Sequence, residues 1–203
     1  MGLKHQAAAA RKWRSAARQV ARHFPAHLPP LLFLTDPQRT LDPVAIIENL
    51  PPDAGVIYRH FGAADRRIIA RKLSQACKKR GLCFLVAADA QLACNVDADG
   101  VHWPEAMLKR AVNWRGRFAI QTGSAHSVAA IRRAYDIGLD AALVSAVFPS
   151  NSPSASNPIG IARFRAWVKD APLPVYGLGG VSPDNAGSIA DISGLAGIDG
   201  FLR

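Results

Sequence analysis

Apolar positions along this chain follow two alternating rhythms. Short, nearly continuous apolar runs are separated by longer segments in which apolar residues recur every third or fourth place. LLFLT (31–35), GVIYRHF (55–61), LCFLVA (82–87), DGVHW (99–103), RFAIQT (117–122), AALVSAVF (141–148), VYGL (175–178) and IDGFL (198–202) read as strands. The intervening segments 42–50, 64–80, 89–94, 104–112, 127–138, 159–169 and 183–192 read as helices. Strands this apolar along their whole length are buried on both faces, as in a parallel sheet covered by helices. Eight strand–helix units about 25 residues apart predict an α/β fold, a single-domain (β/α)8 TIM barrel. An open doubly wound sheet is the alternative, but no GxGxxG follows the first strand. The expected barrel is minimal, with no eighth helix after the eighth strand.

A further helical rhythm precedes the barrel, so the chain divides into an N-terminal helical segment, 1–27, and a barrel, 28–203. Trp13, Ala17, Val20 and Phe24 share one face of 5–24, and Arg11, Arg14, Arg18 and Arg22 another. PAHLPP (25–30) ends this helix. The net charge of +10 is concentrated here: six basic residues precede the first acid, Asp36, and the remaining chain carries only +4. Three readings stay open for the segment. It is a helix docked across the bottom of the barrel, a contact for a polyanion, or an arginine-rich targeting peptide.

The rest of the composition narrows the field. No apolar run is long enough for a membrane span. Cys77, Cys83 and Cys94 are odd in number and lack metal-type spacing, as expected of reduced thiols in a cytoplasmic protein. No metal-ligand cluster, Ser-His-Asp arrangement or P-loop is visible.

Candidate chemistry gathers where the strands end, the face on which such barrels place their working residues. LPVYGLGGVSPDN (173–185) joins the seventh strand to a helix that Ser182 would cap, with Pro183 at its first position. Gly179 and Gly180 permit close backbone approach. The stretch is either a plain strand-to-helix turn or a cradle of N–H groups for a phosphate, and the seventh loop of a barrel favours the second. Alternation on strand 2 puts Ile57, Arg59 and Phe61 on one face, making Arg59 a candidate anion clamp at the mouth. His102 ends the fourth strand, as a core residue or a site residue. Ser124 and His126 follow the fifth: the histidine suits proton transfer, while SAHS also suits a helix cap. The polar loop SNSPSASNP (150–158) holds Ser150 and Ser152, either as a linker or as a hydroxyl-rich lid.

ADGVHW (98–103), SAHS (124–127), LDAALVSAVFPS (139–150) and LPVYGLGGVSPDNA (173–186) together resemble the thiamine phosphate synthase and TenI superfamily in order and spacing. The resemblance, over about 31–202, implies the barrel already inferred. It also implies one of two activities: joining a hydroxymethylpyrimidine pyrophosphate to thiazole phosphate with magnesium, or isomerising or binding the thiazole phosphate. The synthase half is poorly kept. Of three polar anchors on strand 2 only Arg59 remains, an Asn-Asp pair is replaced by Ala87 and Ala88, and a magnesium aspartate by Ala106 beside Glu105. A lysine is lost within 152–154, and an Ile-Ser pair becomes Phe201-Leu202. Kept on the thiazole phosphate side are Gly179, Gly180, Ser124, Ser150 and Ser152, while His126 matches the proton-carrying histidine of TenI-like tautomerases.

The leading expectation is therefore a barrel that binds a thiazole-type phosphate, needs no cofactor, and is tautomerase-like or inactive. One alternative is an active synthase, with magnesium held by Asp89 and Glu105 as substitute ligands. Another is a binding protein whose basic helix docks on an acidic partner. A homodimer is left open.

Overall fold

The structure, a computed structural model, describes residues 3–150 and 157–202. Ser152 lies outside the described residues. Eight strands, β1 (Leu31–Leu34), β2 (Ala54–Tyr58), β3 (Cys83–Ala87), β4 (Gly100–Trp103), β5 (Ile120–Ala125), β6 (Ala141–Val144), β7 (Val175–Gly177) and β8 (Gly194–Gly197), form a closed parallel barrel in sequence order. β1 closes it by pairing with both β2 and β8. Helices α2 (Pro43–Asn49), α3 (Arg66–Arg80), α4 (Ala90–Asn95), α5 (Val128–Asp136) and α6 (Ile161–Lys169) lie between strands in sequence. After β4 the chain takes a 3-10 helix, Glu105–Trp114. No helix among the described residues is long and apolar enough to cross a membrane.

Alternate residues of each strand point into the lumen. Leu32, Leu34, Ile57, Leu85, Leu143 and Tyr176 pack there as an inner core, separate from the larger layer between sheet and helices. Leu28 joins this inner cluster from below, and Phe24 lies edge-on to Tyr176 with ring centroids 4.9 Å apart. The Tyr176 hydroxyl donates to the Pro29 carbonyl at 2.7 Å, closing the lower end.

The N-terminal helix α1 (Leu3–Val20) packs lengthwise on the barrel wall beside β8, where an eighth helix would stand, and not across the bottom. Trp13, Ala16 and Val20, three and four residues apart, are buried. Trp13 stacks on Phe201 at 4.4 Å and donates through Nε1 to the Gly200 carbonyl at 3.1 Å. Arg11, Arg14, Arg18 and Arg22 face solvent.

Three elements differ from the sequence expectation, for steric and hydrogen-bonding reasons. The fifth strand is Ile120–Ala125, not 117–122: the Arg117 N–H still donates to the Trp114 carbonyl and pairing with β4 starts at Ile120, so Ser124 lies on the strand and not after it. The eighth strand is Gly194–Gly197, not 198–202. A Cβ on Gly194 would meet the Tyr176 ring at 2.4 Å, so a large lumen residue on β7 demands none on β8. The apolar run 198–202 instead forms a 3-10 turn (Asp199–Phe201) that supplies Phe201 to Trp13. The helix expected over 183–192 is reduced to a 3-10 turn, Ala186–Ser188. Ser182 caps nothing. Its N–H donates to Asn185 Oδ1 at 2.8 Å while Asn185 Nδ2 donates to the Gly180 carbonyl at 2.8 Å. That local pairing turns the chain before a helix can start.

Candidate functional site

The C-terminal ends of the strands enclose a cavity of about 580 Å³. Arg59, Ser124, His126 and Ser150 line it, as do Gly179, Gly180 and Ser182, and His102 reaches its floor. Eight of the nine residues singled out from the sequence thus share one mouth; the ninth is Ser152.

The floor is built by alternation on adjacent strands. His102 on β4 and Thr122 and Ser124 on β5 all face inward, and His102 pairs with Thr122 in the register. The two ring nitrogens of His102 lie 2.9 Å from Thr122 Oγ1 and 3.0 Å from Ser124 Oγ. Burial, with Arg59 nearby, pushes its pKa down to about 3, so the ring is neutral and offers an anion no positive charge. It is hydrogen-bonded to the Ser124 hydroxyl.

Arg59 directly follows β2, with its backbone N–H fixed by Thr35 Oγ1 at 2.9 Å. It is only partly exposed, and burial lowers its pKa against the opposing pull of Asp36. Its guanidinium has no hydrogen bond or ion pair among the described residues. A half-buried cation without a contact partner is costly, and an anionic ligand would supply one.

At the rim, the SAHS segment divides its labour. Ser127 caps α5, accepting from the Ala130 N–H at 3.1 Å. His126, just before it, is held by Glu105. The Glu105 Oε2 atom accepts from the His126 backbone N–H at 3.0 Å and from its Nδ1 at 2.8 Å, while Oε1 pairs with Arg133 at 2.6 Å. A carboxylate only accepts, so Nδ1 is the donor, and Nε2 is the ring nitrogen left to face the cavity. Nε2 has no partner among the described residues.

Opposite, Gly179 and Gly180 have φ of +90° and +67°, a region that favours glycine. Their tightness faces the segment after β6. A Cβ on Gly180 would sit 2.3 Å from the Pro149 carbonyl oxygen, and one on Gly179 would sit 2.7 Å from Ala146 Cβ. The glycines therefore let two loops meet rather than clearing space for a ligand. The N–H groups of Gly179, Gly180 and Val181 nevertheless donate to no acceptor among the described residues.

Sequence reasoning missed two charged members of the mouth and gave a neighbour of it another role. Arg39 and Asp199 both line the cavity and pair with each other, Arg39 also holding Asp36. Glu105, read as a stand-in metal ligand, serves His126. Only the alternation 122, 124 opposite 102 carried any advance signal, for the hydroxyls flanking His102.

The donors present do not fit magnesium. Ala87, Ala88 and Ala106 have no oxygen side chain. Asp89 caps α4 through the Leu92 N–H at 2.8 Å and pairs with Arg66 at 2.8 Å, and Glu105 is committed to His126 and Arg133. No three His, Cys, Asp or Glu side chains gather for a metal among the described residues.

Comparison with known proteins agrees with this geometry at the level of fold and family. The family model described as thiamine monophosphate synthase matches residues 42–201. A thiamine-phosphate synthase of Bacillus cereus is 31% identical over 173 residues, 79% of this chain and 75% of that protein. One from Lactococcus lactis is 29% identical over 155 residues, covering 73% and 67%. Among solved structures, thiamine phosphate pyrophosphorylase from Pyrococcus furiosus shares the fold, with a TM-score of 0.71, 24% identity and coverage of 83% and 85%. With the match spanning most of the barrel, the chain belongs to the thiamine monophosphate synthase family.

Proposed function

We propose that this barrel binds a thiazole-type phosphate and moves a proton on it without a metal, as a tautomerase does, and does not carry out the metal-assisted joining reaction. One observation carries the reading: His126 is held through Nδ1 by Glu105. The resemblance supports it by placing alanines, Ala87, Ala88 and Ala106, where the synthases hold pyrimidine and magnesium. With Nδ1 fixed, Nε2 can take a proton from one ligand carbon and return it to another, so the ligand is isomerised with no net change in atoms. The unpaired N–H groups at Gly179–Val181 and the unpaired Arg59 supply donors for the phosphate, and Ser124 a hydroxyl beside it.

The test is conversion of a non-aromatic thiazole phosphate tautomer to the aromatic ring, followed by absorbance in the presence of a chelator. The parent should turn over, and His126→Asn should lower kcat by at least about a hundredfold with KM little changed. Glu105→Gln should lie between the two. Family membership favours a second reading, an active synthase. Incubation with both synthase substrates and magnesium decides it: steady thiamine phosphate formation that a chelator abolishes would replace the proposal. A third reading, a non-catalytic binder docking through the outward arginines of α1, gains if phosphate binds but neither substrate set turns over.

A further inference from the structure

We infer that Arg39 is a side-chain ligand for the phosphate at the Gly179–Val181 loop, and that Asp199 occupies its guanidinium while the site is empty. The inference rests on the phosphate reading and adds to it a charged ligand with an internal competitor.

Arg39 stands in the turn after β1 and Asp199 in the turn after β8, and both line the cavity. The two carboxylates on Arg39 hold it unequally. Asp36 Oδ2 lies 2.8 Å from Nη2, and Asp36 Oδ1 also accepts from the N–H groups of Gln38 and Arg39 at 3.1 and 3.2 Å. This fixes the guanidinium from the β1 side. Asp199 makes a single contact, Oδ2 to Nη1 at 3.3 Å, beyond the usual length of a charge-assisted bond. Its side chain is 42% exposed against 19% for Asp36, so water can take it over.

Asp199 is also badly placed for an anion site unless something offsets it. Its neighbour Gly200 packs on the glycine loop, where a Cβ would come within 2.5 Å of the Val181 carbonyl oxygen. The Asp199 carboxylate is thus carried on a turn directly against the loop with the unpaired N–H groups. Arg39 and Arg59 against Asp36 and Asp199 leave the empty mouth with no net charge from these four. Guanidinium geometry resolves the conflict: with five donors in a fixed fork, Nη2 can stay on Asp36 while Nη1 turns from Asp199 to a phosphate oxygen. Asp199 then moves to solvent and the mouth gains an excess positive charge only when an anion is there to use it. Arg39 itself holds the Asp36 carboxyl below the usual carboxylate range, so Asp36 stays ionised throughout.

Calorimetric titration of the full chain with inorganic phosphate at low salt tests this, with melting temperatures recorded for each variant. Arg39→Gln should weaken binding by at least about tenfold, the loss of a charge-assisted contact. Asp199→Asn should tighten it by about fivefold, the scale of a partly exposed ion pair that no longer competes. Arg18→Gln, on the outward face of α1, controls for overall charge and should change nothing. The opposite signs separate the inference from simple damage to the mouth, and Asp199→Asn decides the matter even if Arg39→Gln folds poorly. Asp199→Asn binding no tighter than the parent, or Arg39→Gln behaving like Arg18→Gln, overturns the inference. A parent that binds phosphate, loses it with Arg59→Gln, and is indifferent at Arg39 and Asp199 overturns the inference alone. A parent that binds no phosphate removes both readings.

Discussion

Lowering the pH should destabilise this protein through His102 before any carboxylate contributes. The folded-state pKa is about 3 against an ordinary 6.5. Because the folded pKa is depressed for a base, the unfolded chain binds more protons below pH 6.5, and stability falls as pH falls from there toward about 3. At pH 5 the unfolded imidazole is largely protonated and the folded one is not, which costs about 2 kcal/mol relative to pH 7.5. The cause is the site itself: a ring with 4% exposure whose two nitrogens already meet Thr122 and Ser124 has no room for a counter-ion. Asp36 and Asp191, whose pKa values are lowered by Arg39 and Arg165, lose their contribution only below the usual carboxylate range. Buried His60 is shifted down too and adds in the same direction, so the comparison must be with a variant. Urea unfolding at pH 7.5 and pH 5 should show the parent midpoint falling by about 1 M, taking a slope near 2 kcal/mol per molar. His102→Gln, which keeps a donor and an acceptor, should be less stable at pH 7.5 but lose far less on acidification. Equal pH shifts in parent and variant would refute the argument.

Two other outcomes follow from the fold. Replacing Arg11, Arg14, Arg18 and Arg22 together by Gln should leave the melting temperature nearly unchanged, because the face that packs is Trp13, Ala16 and Val20. If this stripe is the polyanion contact, the same variant should reduce the salt-dependence slope of duplex DNA binding by up to about 3.6, and an unchanged slope would place the contact elsewhere. Gly180→Ala combines a φ of +67° with a Cβ 2.3 Å from the Pro149 carbonyl oxygen, so it should lower stability by about 1–3 kcal/mol. Thermal denaturation checks it; an undiminished melting temperature would mean that the loop after β6 yields freely.

The strands legible in the sequence were those whose apolar run is their own. LLFL and CFLVA declare themselves because both faces are buried and both are filled by large side chains. β8 is equally buried but reads GLAG, since Tyr176 on its neighbour fills the space, and propensity cannot see a partner's volume. The adjacent run 198–202 attracted the assignment although its Phe201 packs outside the barrel on Trp13. At the mouth, strand ends and alternation located Arg59, Ser124 and His102, which are local properties. The pairing of His126 with Glu105, and of Arg39 with Asp199, joins residues 21 and 160 positions apart. Such pairings depend on which strand ends become neighbours, and no window along the chain contains them. Ser182-Pro183-Asp184 looked like a helix start, but Asn185 reached back to Gly180 and Ser182 first.

The placement of α1 has a consequence for the order in which the molecule is made. This helix is translated before every strand, yet its partners, Gly200 and Phe201, follow the last strand of the barrel; the Trp13–Gly200 bond spans 187 positions. Until then the face bearing Trp13, Ala16 and Val20 has nothing to cover it, while β1 likewise waits for β8 to close the ring. Seating of the helix and closure of the barrel are thus one late event, and the indole of Trp13 is a built-in reporter of it. A nascent chain stalled before β8 would carry an exposed amphipathic helix, a natural handle for a chaperone.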